Sequence, residues 1–382
     1  MELRGASWNN LMEMYRTLCL SLPRGDETTG NYNIAVMNCG WPAPGMNAAV
    51  RAAVRIGLDH GHKVYQIKNG FEGMISGDFR EIDWMDVEEW VSLGGSRIGS
   101  NRMVPREDDL YDIANNLLKY NIQGIIMIGG WAGYQGMRML YNKRNAMKPL
   151  KIPFVCVPAS INNNLPGCEI CIGTDTALNN IVTAVDMIKN SADSAHRAFI
   201  VEVMGRYCGF LAAMSGLATG AEEVYLHENG IDLDKLRRHV KRLVKSFKGG
   251  RNVALYIRNE YADDIYTTDF IAKLFEAESK KMFDVKQVIL GPLQQGGKPS
   301  PFDRTLATRL AFDGINHLMS CIENGDKNGY FMGFGGIGNK INDFNKLEEM
   351  SSEEHERPLE QWWEELFKVA ADLAHNPSEQ VN

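Results

Sequence analysis

Short apolar runs that end in glycine or a polar residue recur along the chain. They lie at 33–40, 63–70, 124–130, 152–158, 199–205, 223–227 and 252–258. Runs that are apolar on successive residues are typical of strands buried on both faces of a parallel sheet. Helical patterns separate them, at 46–60, 112–120 and 178–190. The alternation predicts an α/β fold in which ligands bind beyond the carboxyl ends of the strands.

Seven such strands with their crossovers exceed one mononucleotide-binding unit, so we predict two sheets with a first break near Gly173. Residues 330–345 are glycine-rich and ambiguous, and 348–356 are acidic. A last helix is predicted at 359–374. It would carry Trp362, Trp363, Leu366 and Val369.

Composition narrows the class of protein. The 382 residues are 44% hydrophobic and 23% charged, which excludes a disordered or fibrous chain. A net charge of −7 argues against general nucleic-acid binding. We expect a cytoplasmic protein without a membrane helix or a signal peptide, because no apolar run reaches about 20 residues. The seven cysteines fit reduced thiols, and the Cys168/Cys171 pair lacks the second pair that a zinc site needs.

Three loops follow predicted strands, at 40–47, 129–133 and 158–164. Free N–H groups at a helix N-terminus attract anions, so the first is either a phosphate cradle or a tight strand-to-helix turn. It fits neither the Walker loop nor the dinucleotide fingerprint, and the bulk of Trp41 argues against a phosphate tail lying across it. The third loop is rich in amides, which suit binding better than proton abstraction.

Arginines cluster in two further stretches, at 94–102 and 197–209. Each alone is consistent with solvated surface arginines. Together they indicate a site for a strongly anionic ligand, such as one with two phosphates.

Several longer motifs resemble ATP-dependent 6-phosphofructokinases. They are 44–49 (PGMNAA), 203–209 (VMGRYCG), 290–297 (LGPLQQGG) and 301–304 (PFDR). Other stretches resemble the C-terminal, regulatory half of the duplicated eukaryotic enzyme. They are 2–5 (ELRG), 8–10 (WNN), 258–260 (RNE), 266–270 (YTTDF) and 360–363 (EQWW). The resemblance runs from about residue 2 to 373, and it is poor at about 324–350.

The resemblance implies the phosphofructokinase fold, with two Rossmann-like three-layer αβα domains and mainly parallel sheets. On this basis the chain divides into a linker or helix segment at 1–30, a first domain at 31–173 plus about 295–345, a second at 174–294 plus about 346–376, and a tail at 377–382.

The family transfers the γ-phosphoryl group of ATP to the 1-hydroxyl of fructose 6-phosphate with Mg²⁺. The resemblance aligns Trp131 with the metal-binding aspartate, Asn162 with the catalytic base, Trp41 with a cradle glycine and Gln295 with a transition-state arginine. We therefore expect a catalytically dead half that itself binds no Mg²⁺ or ATP. Loss of a general base alone commonly costs ~10²–10⁴-fold in rate.

The resemblance further implies binding of the activator fructose 2,6-bisphosphate, or of fructose 6-phosphate, in the degenerate active site. The residues carried over are Arg102, Ser160, Ile161, Asn162, Asn163, Asn164, Arg197, Met204, Gly205, Arg206, Glu260, Lys286, Pro292, Leu293, Gln294 and Gln295. The basic residues Arg102, Arg197 and Lys286 would hold phosphates, while Glu260 and the amides would take sugar hydroxyls. In the family the position of Arg197 reaches a neighbouring half. This implies a catalytic half as partner in a homo- or hetero-oligomer of tetramer type.

Three departures weaken this expectation. Pro292 replaces a histidine, Lys286 replaces an arginine, and Glu356 replaces an arginine unless a one-residue slip brings in Arg357. Two alternatives therefore stay open: a competent 6-phosphofructokinase in its own right, or a structural half without a ligand.

A second effector site is also implied. Arg51, Arg55 and Lys189 match positions that bind nucleotide or citrate-like effectors in the family. A basic stripe facing solvent or another subunit is the alternative.

Overall fold

The computed structural model describes residues 32–191, 196–336 and 338–374. The opening motifs, the linker segment and the tail predicted above lie outside these residues. Contacts between Cα atoms group the described chain into two compact units. Unit 1 contains 32–160, 165–173 and 298–350, and unit 2 contains 161–164, 174–297 and 351–374. No helix among the described residues combines the length and apolar character that crossing a lipid bilayer would require.

The described strands are β1 Asn33–Cys39, β2 Lys63–Ile67, β3 Phe79–Glu81, β4 Gly124–Gly129, β5 Phe154–Pro158, β6 Arg197–Val203, β7 Glu223–Tyr225, β8 Val253–Asn259, β9 Asp284–Ile289, β10 Gly329–Gly335, β11 Gly338–Asp343, β12 Ser351–Ser352 and β13 Arg357–Pro358. The described α-helices are α1 Met46–Asp59, α2 Phe71–Ser76, α3 Leu110–Lys119, α4 Trp131–Lys143, α5 Thr174–Asn190, α6 Phe210–Thr219, α7 Leu233–Lys248, α8 Thr268–Glu278, α9 Pro301–Asn324, α10 Lys346–Glu349 and α11 Glu364–Ala374.

Unit 1 is built on a sheet with the strand order β11-β10-β5-β4-β1-β2-β3. Its strands run parallel except at the two edges, where β3 and β11 are antiparallel to their neighbours. Helices α2, α3 and α4 bury apolar side chains such as Phe71, Ile113 and Met137 against one face of the sheet. Helices α1 and α9 pack together, and α9 lies against β5 and β4 on the other face. The result is three αβα layers.

Unit 2 has a smaller sheet, ordered β7-β8-β6-β9 and parallel throughout. Helices α7 and α8 cover one face with side chains such as Leu236, Val240 and Phe275. Helix α6 packs against β8 and against helices α5 and α11. A separate two-stranded ladder joins β12 to β13.

The predicted α/β class with mainly parallel sheets is confirmed. The predicted last helix begins too early, because α11 starts at Glu364 and both tryptophans precede it. Trp363 is only 2% exposed and meets Phe210 edge to face, whereas Trp362 is 45% exposed. The ambiguous glycine-rich stretch forms the hairpin β10–β11.

Candidate functional site

The carboxyl ends of β1, β4 and β5 lie side by side in unit 1, because these strands are parallel neighbours in register. Gly130 N donates to Cys39 O at 3.2 Å, and Ala159 N donates to Gly129 O at 2.9 Å. A Cβ on Gly40 would lie 3.3 Å from Gly130 N, so the strand ends approach closely. The three loops predicted to follow strands therefore meet at one edge of this sheet.

A tryptophan and an arginine stack on this edge. The indole of Trp41 is 49% exposed, and the guanidinium carbon of Arg102 lies 4.5 Å from its ring centroid. Such a cation–π contact contributes ~0.5–1 kcal/mol at an exposed site. Arg102, a predicted phosphate ligand, is thus held against the side chain that replaces the cradle glycine of the family pattern.

Trp131 belongs to the hydrophobic core of unit 1. It is 6% exposed at the start of α4, and its ring centroid lies 5.3 Å from that of Tyr134. Its indole Nε1 has no hydrogen-bond partner within the described chain. The side chain that the resemblance aligns with a metal-binding aspartate therefore packs as an apolar group.

The side chain of Trp131 cannot serve as a magnesium ligand. Mg²⁺ in proteins is bound through carboxylates together with waters and phosphate oxygens. The described residues contain no group of three or more His, Cys, Asp or Glu side chains placed to hold a metal ion. Trp131 supplies no oxygen ligand at this edge, so the side chains here disagree with the metal position of the family pattern.

In unit 2 a second cluster forms at the carboxyl ends of β6 and β8. Glu260 Oε1 accepts from Gly205 N at 3.1 Å and from Arg206 N at 2.9 Å. Gln294 is fully buried, and its Oε1 accepts from Met204 N at 3.0 Å. These contacts bring together five predicted ligands, of which Gln294 supports the loop from below through Met204 N.

Gly205 is required where this loop turns. Its φ is 137°, and an added Cβ would lie 2.4 Å from Cys208 O and 2.6 Å from Asn259 Nδ2. We expect Gly205→Ala to lower the free energy of unfolding by about 3 kcal/mol or more, since backbone strain and a clash with fixed atoms add together. Urea denaturation measures this. Gly220→Ala is the control, because Gly220 also has a positive φ of 66° but nothing within 4 Å of its added Cβ.

If Gly205→Ala lowered the free energy of unfolding by less than about 1.5 kcal/mol, as Gly220→Ala should, this role of Gly205 would be contradicted.

Burial raises the pKa of the Glu260 carboxyl above its ordinary value, against the lowering effect of the two N–H groups that it accepts. The nearby Glu202 carboxylate raises this pKa further, while the Arg206 guanidinium lowers it. Because the folded chain holds this proton more tightly than the unfolded chain, the stabilisation is complete below the unfolded pKa. It is lost as the pH rises through the folded pKa.

We therefore expect the free energy of unfolding of the unmodified chain to fall with rising pH, relative to that of Glu260→Gln. The amide oxygen of this variant can still accept from both N–H groups. Urea midpoints of the two proteins, compared from about pH 4 to pH 7, measure this difference. A difference that stays constant across this range would contradict the assignment.

Arg206 is bound by a residue far along the chain. Its guanidinium lies 3.1 Å from the carboxylate of Glu356, and both residues have positive φ, 50° and 47°. Asn164 Nδ2 donates to Glu356 O at 2.8 Å and so fixes this turn. Glu356, one of the departures from the family pattern, therefore forms an ion pair with Arg206, a predicted ligand.

Arg357 lies in a separate network of contacts in unit 2. Its Nη1 lies 3.1 Å from Glu228 Oε1 and also donates to the carbonyl oxygen of Tyr207. Glu228 Oε1 accepts from Gly209 N at 2.9 Å as well. Arg357 is thus held by groups of unit 2, and its match to the family arginine stays a prediction.

Residues of the amide loop make internal contacts within unit 2. Asn164 donates to Glu356 as above, and Asn163 Oδ1 lies 3.5 Å from Thr174 Oγ1. Ile161, Asn162, Asn163 and Asn164 are all buried. Ser160 ends the unit 1 part of this loop, and its N donates to Ile172 O at 3.0 Å. The loop thus serves folding, and its contribution to ligand binding stays a prediction.

Arg197 and Lys286 lie apart from the unit 2 cluster. Arg197 opens β6 and Lys286 is the third residue of β9, paired with Phe199. Met204 follows the last residue of β6, and at ~3.3 Å per residue the seven-residue strand separates it from Arg197 by about 20 Å. The two cations share the early part of adjacent parallel strands, so they do not join the Glu260 cluster of the same unit.

The remaining predicted residues frame the short 3₁₀ helix Gly291–Gln294. Pro292 and Leu293 are exposed, and Gln295 N donates to Pro292 O at 3.0 Å. Among these residues Gln294 alone is buried.

The residues of the possible second effector site belong to different units. In unit 1, Arg55 stacks over Trp84 at 4.5 Å and donates to Trp84 O at 3.3 Å. Burial, followed by the charge of Arg55, lowers the pKa of Arg51. In unit 2, Lys189 donates to Thr219 O at 2.8 Å. This site also stays a prediction.

Sequence reasoning missed the acidic residues that hold the unit 2 loops. Glu202 pairs with the buried Arg258 at 3.1 Å, and Glu228 binds both Arg357 and Gln361. The one available signal was Arg258 at the end of an apolar run, since a buried arginine demands a carboxylate.

Comparison with known proteins identifies the family. The Phosphofructokinase family matches residues 33–318. The chain is 40% identical over 385 residues to ATP-dependent 6-phosphofructokinase, muscle type, of Oryctolagus cuniculus, covering 98% of this chain and 49% of that protein. The chain thus spans about half the length of the curated relatives it matches.

Two solved structures agree. Phosphofructokinase from Saccharomyces cerevisiae has a TM-score of 0.90 and 35% identity, over 95% of this chain and 50% of that one. Pichia pastoris phosphofructokinase in the T-state has a TM-score of 0.88 and 31% identity, over 100% of this chain and 45% of that one. The predicted resemblance is therefore confirmed, and the chain belongs to the phosphofructokinase family.

Proposed function

We propose that this chain is the regulatory, C-terminal half of a 6-phosphofructokinase, which binds fructose 2,6-bisphosphate and transfers no phosphoryl group. One observation carries the proposal. Trp131, which the resemblance aligns with a metal-binding aspartate, packs into the core, while Glu260 accepts from Gly205 N and Arg206 N in the loop that follows β6.

The unit 2 cluster offers complementary groups to a phosphorylated sugar. Glu260 uses only Oε1 for the backbone contacts above, which leaves Oε2 to accept a sugar hydroxyl. Arg206 presents a guanidinium at the same edge, and guanidinium groups bind phosphates through paired hydrogen bonds. Carboxylate and guanidinium side by side suit a ligand with both hydroxyls and phosphates.

Assembly completes the proposed site. Arg197 and Lys286 sit at the opposite end of their strands from Arg206, so they cannot serve the same ligand within unit 2. This placement fits the family pattern in which the position of Arg197 reaches a neighbouring half. We propose a catalytic half of the enzyme, in a cytoplasmic oligomer of tetramer type, as that neighbour.

The side chains at positions 131 and 162 disfavour catalysis. Asn162 is an amide and cannot accept a proton usefully, and Trp131 cannot bind a metal. Binding of the activator would instead shift the partner's equilibrium between two quaternary states. The size of the shift is set by the difference in the activator's affinity for the two states.

Calorimetric titration of fructose 2,6-bisphosphate into the assembled chain tests the binding. We expect a saturable heat, weakened about 10-fold or more by Arg206→Ala, because a charged hydrogen bond contributes ~1.5–3 kcal/mol. Arg80→Ala is the control, because Arg80 is exposed and paired with Asp78 in unit 1. Absence of saturable heat in the unmodified chain would contradict the proposal.

A purely structural half is the second candidate, and the Arg206–Glu356 ion pair favours it. If that pair is permanent, no phosphate reaches Arg206. Titration of the unmodified chain and of Glu356→Gln separates the two candidates. A structural half blocked by this pair gives no saturable heat until the substitution frees Arg206, whereas a regulatory half binds in both proteins.

A further inference from the structure

Four ring side chains cluster beside the candidate site of unit 2. The ring centroid of Tyr207 lies 5.2 Å from that of His227, 5.2 Å from that of Tyr261 and 6.5 Å from that of His355. The two imidazoles are themselves 5.4 Å apart and meet edge to face. We call these four residues the ring cluster. The function proposed above gives it no role.

Members of the ring cluster adjoin the candidate site residues along the chain. Three pairs of chain neighbours show this: Arg206 with Tyr207, Glu260 with Tyr261, and Glu356 with His355. The guanidinium carbon of Arg206 lies 5.4 Å from the Tyr207 ring centroid. Arg206 and both imidazoles therefore border the same phenol ring. A sugar that carries a phosphate at each end can reach across one such ring.

The two imidazoles keep ring nitrogens available for a ligand. His227 Nδ1 lies 2.7 Å from Tyr261 O, and because a carbonyl oxygen only accepts, Nδ1 carries the proton and donates it. Within the described chain, His227 Nε2 and both ring nitrogens of His355 have no hydrogen-bond partner. Both histidines are half-buried, and these three nitrogens are open to solvent.

The charged groups on the same segments do not favour an anion by themselves. Arg206 pairs with Glu356 at 3.1 Å, and Arg357 pairs with Glu228 at 3.1 Å. Further carboxylates lie on these segments, at Glu260, Glu353 and Glu354. A second phosphate therefore needs a cation of its own here, and a protonated imidazole supplies one.

We propose that His227 and His355 form a second phosphate subsite beside Arg206, for a sugar that carries two phosphates. This inference rests on the proposed function and adds the residues that select a bisphosphate over a monophosphate. His355 can present an N–H to the phosphate in either neutral tautomer. His227 cannot, because its one proton is on Nδ1, so it takes up a second proton from the buffer as the phosphate binds Nε2.

Other roles fit the ring cluster less well. A metal site is disfavoured, because the described chain holds no group of three or more His, Cys, Asp or Glu side chains placed to bind a metal ion. The cluster also lies outside the hydrophobic core of unit 2, which is built from residues such as Ile200 and Leu236. Tyr261 is 41% exposed, so packing alone does not account for the cluster.

Calorimetric titration of the assembled chain in two buffers of different ionisation enthalpy tests the proposal, because the difference in heat counts the protons taken up. At about pH 7.5 we expect fructose 2,6-bisphosphate to bind with uptake of up to about one proton. His227→Gln should weaken this binding about 10-fold or more and lower the proton uptake. His355→Gln should weaken it similarly but keep the uptake. The preference for the bisphosphate over fructose 6-phosphate should fall in both variants.

His60→Gln is the matched control. His60 is also half-buried and its Nδ1 donates to Ile56 O at 2.8 Å, but it belongs to unit 1. A His227→Gln chain that matches this control in affinity or in proton uptake would overturn the subsite and leave the proposed function in place. Equal weakening of fructose 6-phosphate and the bisphosphate would also overturn it, since it would show a purely structural role. Absence of saturable heat in the unmodified chain would overturn both.

Discussion

Glu356→Gln is expected to strengthen the binding of fructose 2,6-bisphosphate about 10-fold or more. The Glu356 carboxylate lies 3.1 Å from the Arg206 guanidinium, where an anionic ligand would otherwise bind. A phosphate must therefore displace a partly buried ion pair before it binds. Such a partner can cost ~1.5–3 kcal/mol, which corresponds to about 10- to 150-fold in affinity.

Calorimetric titration of the two proteins measures this gain. Glutamine keeps the size of the side chain and leaves the main-chain bond from Asn164 in place. Glu349→Gln is the matched control, since Glu349 is an exposed residue of unit 1 and its substitution removes the same charge. An equal gain from both variants would show a general charge effect, and unchanged affinity would show that Glu356 does not compete.

Trp131→Asp is expected to destabilise unit 1 by about 4 kcal/mol or more. The substitution empties a core position and places a carboxylate among apolar side chains such as Tyr134 and Met137. The substitution introduces the carboxylate that the resemblance implies at this position, and we expect it to break the packing of the tryptophan.

Trp41→Asp is the matched control, because Trp41 also follows a strand of this sheet but is 49% exposed. We expect a loss of no more than about 1 kcal/mol there, from the contact with Arg102. Urea denaturation compares the two variants. A Trp131→Asp protein as stable as Trp41→Asp would show that this position can still hold a carboxylate.

The sequence predicts the strands that are buried on both faces of a sheet. The run at 33–40 became β1 Asn33–Cys39, and the run at 252–258 became β8 Val253–Asn259, because strands buried on both faces need apolar side chains throughout. β9 Asp284–Ile289 was missed. It lies at the edge of its sheet and is exposed at most positions, so its sequence lacks a long apolar run.

The candidate site was predictable in part, and through family resemblance. Met204, Gly205, Arg206 and Glu260 follow neighbouring parallel strands, and such ends meet at one edge of a sheet. The pairing of Arg206 with Glu356 was beyond any local pattern, since the two residues are far apart in sequence and meet through tertiary folding.

The most direct test of the central claim is a coupled assay for ADP production from MgATP and fructose 6-phosphate by the purified chain. We expect no turnover above the background given by an Asn162→Ala variant, because neither a proton-accepting side chain at 162 nor a metal-binding side chain at 131 is present. Turnover that the Asn162→Ala substitution abolishes would contradict the assignment of a non-catalytic, ligand-binding half.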